Sequence, residues 1–400
     1  MTDRPEPAKA WLIASILAAC AVLSLAGTDL VLPAVPYLPD TLGGTVSSAQ
    51  YVLAAFSAGT ALGLILFGEI GTRTDNGGML AFATISFALS SLLGGLAPNL
   101  NVLIAVRFFQ GMFAACAAVV APGMIRALFD ERRALRAIGI LGSVESLAPA
   151  IAPIIGAVLF RSFGWASSFW TTAVCAVLLS LAVFRMRTIL PAVQRPESKT
   201  SYGTLLANAT FQRYALSHGL GLAALLSFVF AMPSVFVQAL SSGITDFIVM
   251  QLLGISAFIV AANLAGFAAS RFGAERMILF GSLLMTAAAF FLTLVSLGGA
   301  VRSWSIWMLF VPLNFGFGLR GPPGFYRALQ ASGGDDTRAS ALIILFVMIF
   351  TAAATAALAP FLVLGAAPPS LMSLGLSLVS LALLLFLPSW VENEQFDGTN

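Results

Sequence analysis

Four ionisable residues lie inside stretches otherwise fit for the interior of a bilayer: Asp29, Arg107, Glu145 and Arg320. A charge at the centre of a membrane helix costs about 3 kcal/mol on insertion scales, so each calls for a use. A carboxyl group there can take up and release a proton as its surroundings alternate between dry protein and an approaching cation. A guanidinium can brace helices through its five donors, or tune a carboxylate beside it. Proton exchange and charge-driven gating are the chemistry these residues could do. Other chemistry finds little support. Cys20, Cys116 and Cys175 are scattered through apolar runs, too far apart for a disulfide framework or a ligand cluster. His218 is the sole histidine, and no Cys, Met or His pair stands at helical spacing, so no metal is expected. Nothing resembles a Walker motif or a catalytic triad, so neither an enzyme nor a cofactor is expected, nor transport driven by ATP.

The elements that must position these residues are membrane helices. The chain of 400 residues is 59% hydrophobic and only 9% charged, against roughly 25% charged in soluble domains. Its mean hydropathy is +0.96. Runs long enough to span, about 20 apolar residues each, fall near 11–32, 49–68, 79–97, 102–125, 137–160 and 165–184, and again near 214–237, 248–270, 277–298, 304–326, 340–363 and 370–388. This predicts an all-α polytopic membrane protein of twelve transmembrane helices. Lys and Arg orient it. With the N-terminus in the cytoplasm, and the intramembrane Arg107 and Arg320 set aside, only Arg161 and Arg302 fall on the outer side. Both termini and the 185–212 segment, which holds Pro191, Pro196, Glu197 and Lys199, are therefore expected in the cytoplasm. The basic balance reflects this topology and not a nucleic-acid partner.

Helix rise gives depths. Asp29 lies roughly 27 Å above the cytoplasmic start of span one, and Arg107 roughly 28 Å up span four. Glu145 lies about 12 Å up span five and Arg320 about 10 Å up span ten. The charges sort into an upper pair and a lower pair.

The sequence also repeats itself. Gly68-Glu-Ile-Gly-Thr-Arg73 after span two is echoed by Gly266-Phe-Ala-Ala-Ser-Arg271 after span eight, and Pro122-Gly123-Met-Ile-Arg126-Ala127-Leu128 by Pro323-Gly324-Phe-Tyr-Arg327-Ala328-Leu329. Both offsets are near half the chain, as parallel repeats produce. The expected division is a six-helix half over 1–184, a linker over 185–212 and a second six-helix half over 213–400, the halves being pseudo-symmetric bundles. Arg107-Phe-Phe-Gln110-Gly111, the Pro/Gly-rich run Ala148-Pro149 to Pro153-Ile-Ile-Gly156, and Thr28-Asp29 to Pro33-Ala-Val-Pro36 carry a resemblance to the major facilitator superfamily. Within it, the chain resembles the bicyclomycin/chloramphenicol-resistance type of drug:proton antiporter. The pattern departs after span two, where Thr72 stands for the usual Asp and Gly77-Gly78 for the basic pair, and at Ala127, usually acidic. The resemblance implies a cytoplasmic latch there, and its charges are missing; Asp75 stands nearby.

Each site residue carries two readings. Asp29 is a proton site lining a central cavity, or a brace near Pro33. Arg107 tunes its partner's proton, or pins span four to span one beside Gln110 and Gly111. Glu145 shares a helix face with Pro149 and Pro153 and is a cavity acid or a hydrogen-bonded structural one. Arg320, in a Gly/Pro-rich stretch where no straight helix is expected, bridges to Glu145 across the halves, or snorkels to the headgroups. Arg73 belongs to the motif after span two. Tyr37, Tyr51, Phe56, Phe230 and Phe236 are candidate contacts for a lipophilic substrate. The leading expectation is a proton-coupled antiporter of the bacterial inner membrane, acting as a monomer in the lipid bilayer and exporting small amphipathic drug-like molecules. Transport of a specific metabolite, and a non-transporting sensor or scaffold, are the alternatives.

Overall fold

A computed structural model describes residues 6–71, 74–187, 189–190, 202–299, 301–333 and 336–389. Residues 1–5 and 390–400, Thr72, Arg73 and the central part of the 185–212 linker fall outside these. Fourteen α-helices follow one another among the described residues, and twelve are long. In chain order these are α1 (Pro7–Asp29), the short α2 (Leu38–Leu42), α3 (Val46–Gly71), α4 (Asn76–Gly95), α5 (Leu100–Leu128), α6 (Glu131–Phe163) and α7 (Ser167–Met186). The short α8 (Tyr202–Ala207) precedes α9 (Ala209–Ser234), α10 (Ile244–Phe272), α11 (Ala274–Leu297), α12 (Ser303–Gln330), α13 (Asp336–Leu358) and α14 (Ala367–Phe386). The twelve long helices coincide with the twelve expected spans. Eleven are long and apolar enough to cross a membrane. The twelfth, α12, is less apolar because it carries Asn314, Arg320, Arg327 and three prolines.

Local chemistry sets the boundaries. Asn99, Asp130 and Asn208 cap α5, α6 and α9 by accepting bonds from free backbone N–H groups. The Gly318–Gly324 stretch stays helical: α12 runs through Pro322 and Pro323 to Gln330. Gly318 lies against the α10 backbone and Gly316 against α11, and helix neighbours of this kind hold a membrane helix together past its prolines.

We call the end where α1 begins and α14 finishes the near end, and the opposite one the far end. Within the first six long helices, α5 packs chiefly on α3, with α4 and α1 beside it. Within the last six, α12 packs on α10 and α11 in the same way. Between the two sets, α3 lies along α13 and α6 meets α10. At the far end one buried apolar cluster joins both sets, running from Val31, Leu32, Val35 and Leu53 to Phe228, Phe236, Phe247 and Phe310. Three hydrogen bonds tie them there: Gln238 Nε2 to the Pro36 carbonyl (2.9 Å), Ser47 Oγ to the Ala359 carbonyl (2.8 Å) and Arg161 Nη2 to Thr245 Oγ1 (2.8 Å). At the near end each set has its own cluster, and Leu345 of α13 borders both. The molecule is closed at its far end.

Candidate functional site

The site begins where α1 stops. Val31 N–H turns to the Thr28 carbonyl, so the Gly27 carbonyl is left without its usual helical donor. Arg107, wholly buried in α5, supplies one: its Nη1 donates to Gly27 O at 2.9 Å and to Gln110 Oε1 at 2.8 Å, and its Nε to the Val52 carbonyl at 3.3 Å. Its guanidinium lies over the Phe56 ring, 4.2 Å from the centroid. Gln110 Nε2 passes the chain on to Ser91 Oγ at 2.7 Å. Arg107 and Gln110 together thus tie α1, α3 and α4 to α5. Gly111 makes the approach possible, because a Cβ there would run into the Phe56 backbone carbonyl.

Asp29, two residues after Gly27, closes α1. It is half-buried and makes no hydrogen bond or ion pair among the described residues. The charge of Arg107 acts on it without contact. Asp29 ends a stripe at helical spacing, Trp11, Ser15, Val22, Leu25 and Asp29, that is open or half-open along α1. The opposite stripe, including Ile13, Leu17 and Cys20, is buried against its own bundle. The open stripe runs up to the far end of α1, where Val31 and Leu32 enter the cluster that both sets of helices share. The expectation that Asp29 and Arg107 share a level holds; they meet through the Gly27 turn and not as an ion pair.

Glu145 follows Leu141 by one turn on the α6 stripe of Ala137, Leu141, Ala148 and Ala152, which is buried. The carboxylate is half-buried and free of hydrogen bonds and ion pairs among the described residues. Pro153 is buried, Pro149 half-buried, and both sit within an unbroken helix. At Gly156 a Cβ would meet the Leu30 carbonyl, so this glycine lets α6 close on the end of α1, one residue from Asp29. The motif therefore packs α6 on its own bundle.

Arg320 corrects the lower pair. It neither snorkels nor reaches Glu145; only 2% exposed, it is enclosed by the last six helices. Its Nη1 donates to Ser380 Oγ at 2.7 Å and its Nη2 to Ser217 Oγ at 2.6 Å, and Gly221 and Gly281 make room for it. Equal depth along two helices says nothing about azimuth, and α12 turns this residue toward α9, α11 and α14. His218 lies beside it, its ring 5.5 Å from Phe317 and 5.6 Å from Phe325.

Of the candidate substrate contacts, Tyr37 stacks on Phe160 at 4.7 Å and Tyr51 is half-buried. Phe56 seats Arg107, and Phe230 and Phe236 lie in the far-end cluster. In this closed arrangement those three are core residues, since an aromatic stripe packs as readily as it binds. Asp75, the nearby candidate for the missing latch, is engaged as the cap of α4, accepting from Gly77 N at 3.1 Å and Gly78 N at 2.8 Å. Arg73 lies outside the described residues. A near-end charge cluster that the sequence reading passed over sits instead in the second set: Arg213 Nη2 pairs with Glu275 at 3.0 Å, and the Tyr214 hydroxyl donates to the same carboxylate.

Comparison with known proteins agrees with this architecture. The profile of the Major Facilitator Superfamily matches residues 17–357. The multidrug resistance protein MdtL of Escherichia coli O157:H7 is 24% identical over 303 residues, which is 75% of this chain and 77% of that protein. The uncharacterized MFS-type transporter YdgK of Bacillus subtilis (strain 168) is 27% identical over 356 residues, 86% of this chain and 87% of its own. Among solved structures, the xylose transporter XylE from E. coli, in a partially occluded inward-open conformation, superposes with a TM-score of 0.69 at 14% identity, covering 95% of this chain and 98% of that one.

Proposed function

This chain belongs to the major facilitator superfamily, and we propose that it works as a proton-coupled antiporter exporting small, amphipathic, drug-like molecules. It is a multi-pass membrane transporter and not an enzyme. The relation to proteins named for multidrug resistance supports export of such compounds. Positively charged loop ends support placing the near end, with both termini, in the cytoplasm of a bacterial inner membrane. On that reading the chain divides at 1–184, 185–212 and 213–400, rocks its halves about the α3–α13 and α6–α10 contacts, and acts as a monomer.

The observation that carries the coupling is the contrast between Arg107 and Asp29. The guanidinium is anchored by three hydrogen bonds from its Nε and Nη1, while the carboxyl two residues from its Gly27 anchor makes none among the described residues and, on this reading, borders the space between the halves. When Asp29 is protonated its burial costs little, and the closed, dry state is favoured. When it is ionised the site attracts a substrate or water, and the Arg107 charge limits how long the proton stays. Glu145, on the helix that Gly156 presses against Leu30, is the second exchangeable acid. Everted membrane vesicles with an imposed pH gradient test the reading. Substrate should accumulate and the gradient collapse faster with protein than without. Asp29→Asn should abolish gradient-driven accumulation and retain exchange of substrate for substrate. Normal driven accumulation by Asp29→Asn removes it from the coupling.

A further inference from the structure

Several buried polar groups have no hydrogen-bond partner among the described residues, and three of them share one contact surface between the two sets of helices. Gln50 is wholly buried in α3, and neither its amide nitrogen nor its amide oxygen is bonded there. It stands on the face of α3 opposite Val52, Gly59 and Gly63, which lie against α5. Ser47, on the same side and one turn nearer the far end, donates to the Ala359 carbonyl just beyond α13. The two helices run antiparallel, so Thr355 comes level with Gln50 and Thr351 with the next turn inward. This side of α13 is the one turned to the first set. Ile344 and Met348, seven residues before the two threonines, border that set's near-end cluster. Both threonines are wholly buried, and their hydroxyls have no partner among the described residues. Other buried threonines of the membrane helices donate to the carbonyl four residues back, as Thr172, Thr286 and Thr293 do. Thr351 and Thr355 forgo even that bond.

We infer that Gln50, Thr351 and Thr355 form a dry polar seam that works against the far-end-closed state and so promotes its opening. This rests on the rocking of the halves proposed above, and specifies what keeps closure from becoming permanent. A buried amide or hydroxyl without a partner has lost its hydration and gained nothing in exchange. With the far end shut, the α3–α13 contact imposes that loss on all three groups at once. When the halves part there, solvent reaches the groups and the loss is recovered. The far-end cluster and the three bonds across the halves pull toward closure. The seam opposes them, so the closed form is not a trap. None of the three groups titrates, so the bias is the same at any pH and is separate from proton exchange at Asp29. An apolar seam of similar shape would hold the far end shut, because replacing an unanswered polar group by an apolar one removes the desolvation loss.

The reactivity of one cysteine reads this in purified, full-length protein. Ala359 is wholly buried at the closed far end, and Cys20 and Cys116 are buried while Cys175 is exposed. In a Cys175→Ser background, Ala359→Cys should therefore react with a water-soluble maleimide only when the far-end contact parts. The triple variant Gln50→Leu, Thr351→Val and Thr355→Val should slow that reaction at least about tenfold, a shift of about 1.4 kcal/mol toward the closed form. It should also melt at a higher temperature. Thr355→Val alone should slow the reaction by a smaller factor, which keeps the test decisive if the triple variant fails to fold. Thr351→Ser with Thr355→Ser keeps the hydroxyls and should not slow it. A faster reaction and a lower melting temperature in the apolar variants would show that the closed form satisfies these groups, and would overturn the inference. Equal rates in all variants would remove the seam from the cycle and leave the rocking intact. A cysteine at 359 that stays unmodified in the parent would strike the rocking itself, and the inference with it.

Discussion

Arg107 and Arg320 are both guanidiniums buried in membrane helices, and the difference between them lies in their acceptors. Arg107 is held by two backbone carbonyls, an amide oxygen and a ring; Arg320 is held by two hydroxyls that also touch each other, Ser217 Oγ to Ser380 Oγ at 3.0 Å. Removing a buried charge and removing its partners are therefore unequal operations. Without Arg320 the two serines can still satisfy each other, so Arg320→Met should change stability by less than about 1 kcal/mol. Ser217→Ala together with Ser380→Ala leaves the guanidinium buried and unanswered, and should cost about 3 kcal/mol. Thermal melting in detergent ranks the two; a methionine variant melting well below the double alanine variant would show that the charge itself is required. Arg107→Lys is the converse case. An ammonium keeps the charge but cannot reach Gly27, Val52 and Gln110 together, so it should lower the melting temperature and weaken driven transport, while Arg107→Gln should lose driven transport altogether.

At the scale of helices, glycines decide how near the functional side chains come. Arg107 reaches Gly27 only because α5 lies backbone to backbone on α3 at Gly111 and Gly59. Gly111→Val should push the helices apart, with overpacking costing about 1–3 kcal/mol, and should impair driven transport even in protein that still folds. An unchanged rate with an unchanged melting curve would mean that α5 has slack the contact does not reveal. This level was largely legible beforehand. Apolar runs and polar breaks marked twelve helices within a few residues, and Arg107, Gln110, Gly111 and Gly156 stood in the motifs that carry the family resemblance. What could not be read was azimuth. Arg320 and Glu145 share an estimated depth, yet α12 turns one into its own bundle, because residues 316, 318 and 320 are committed to α11, α10 and the serines. Phe56, Phe230 and Phe236 were eligible for a cavity by type, and tertiary packing made them core. One signal was available and missed: Ser370, Ser373, Ser377 and Ser380 mark a polar stripe on an apolar span, the side of α14 from which Arg320 takes its partner.

For the molecule as a whole, the far end is closed by an apolar cluster and by hydrogen bonds between Gln238, Ser47 and Arg161 and their partners across the halves. Alternating access requires these contacts to part. Two of the three bonds end on a backbone carbonyl, so substitution of the acceptor side chain cannot remove them, but loss of the donor can. Gln238→Ala and Ser47→Ala should each favour the far-end-open form modestly, by about 1 kcal/mol as expected for a neutral hydrogen bond. A covalent tie acts in the opposite sense. Ser47 Oγ stands 2.8 Å from the Ala359 carbonyl, so cysteines at 47 and 359 are within reach of a short thiol-specific crosslinker. Native Cys20 and Cys116 are buried and Cys175 is exposed, so the pair belongs in a Cys175→Ser background. Crosslinked protein should keep binding substrate from the near end and lose driven transport in everted vesicles, because the far end can no longer open. A reducible crosslinker should restore transport on reduction, which separates locking from damage. Full transport by the crosslinked protein would mean that the far-end contacts never part during the cycle, and the rocking of the two halves would have to be abandoned for this chain.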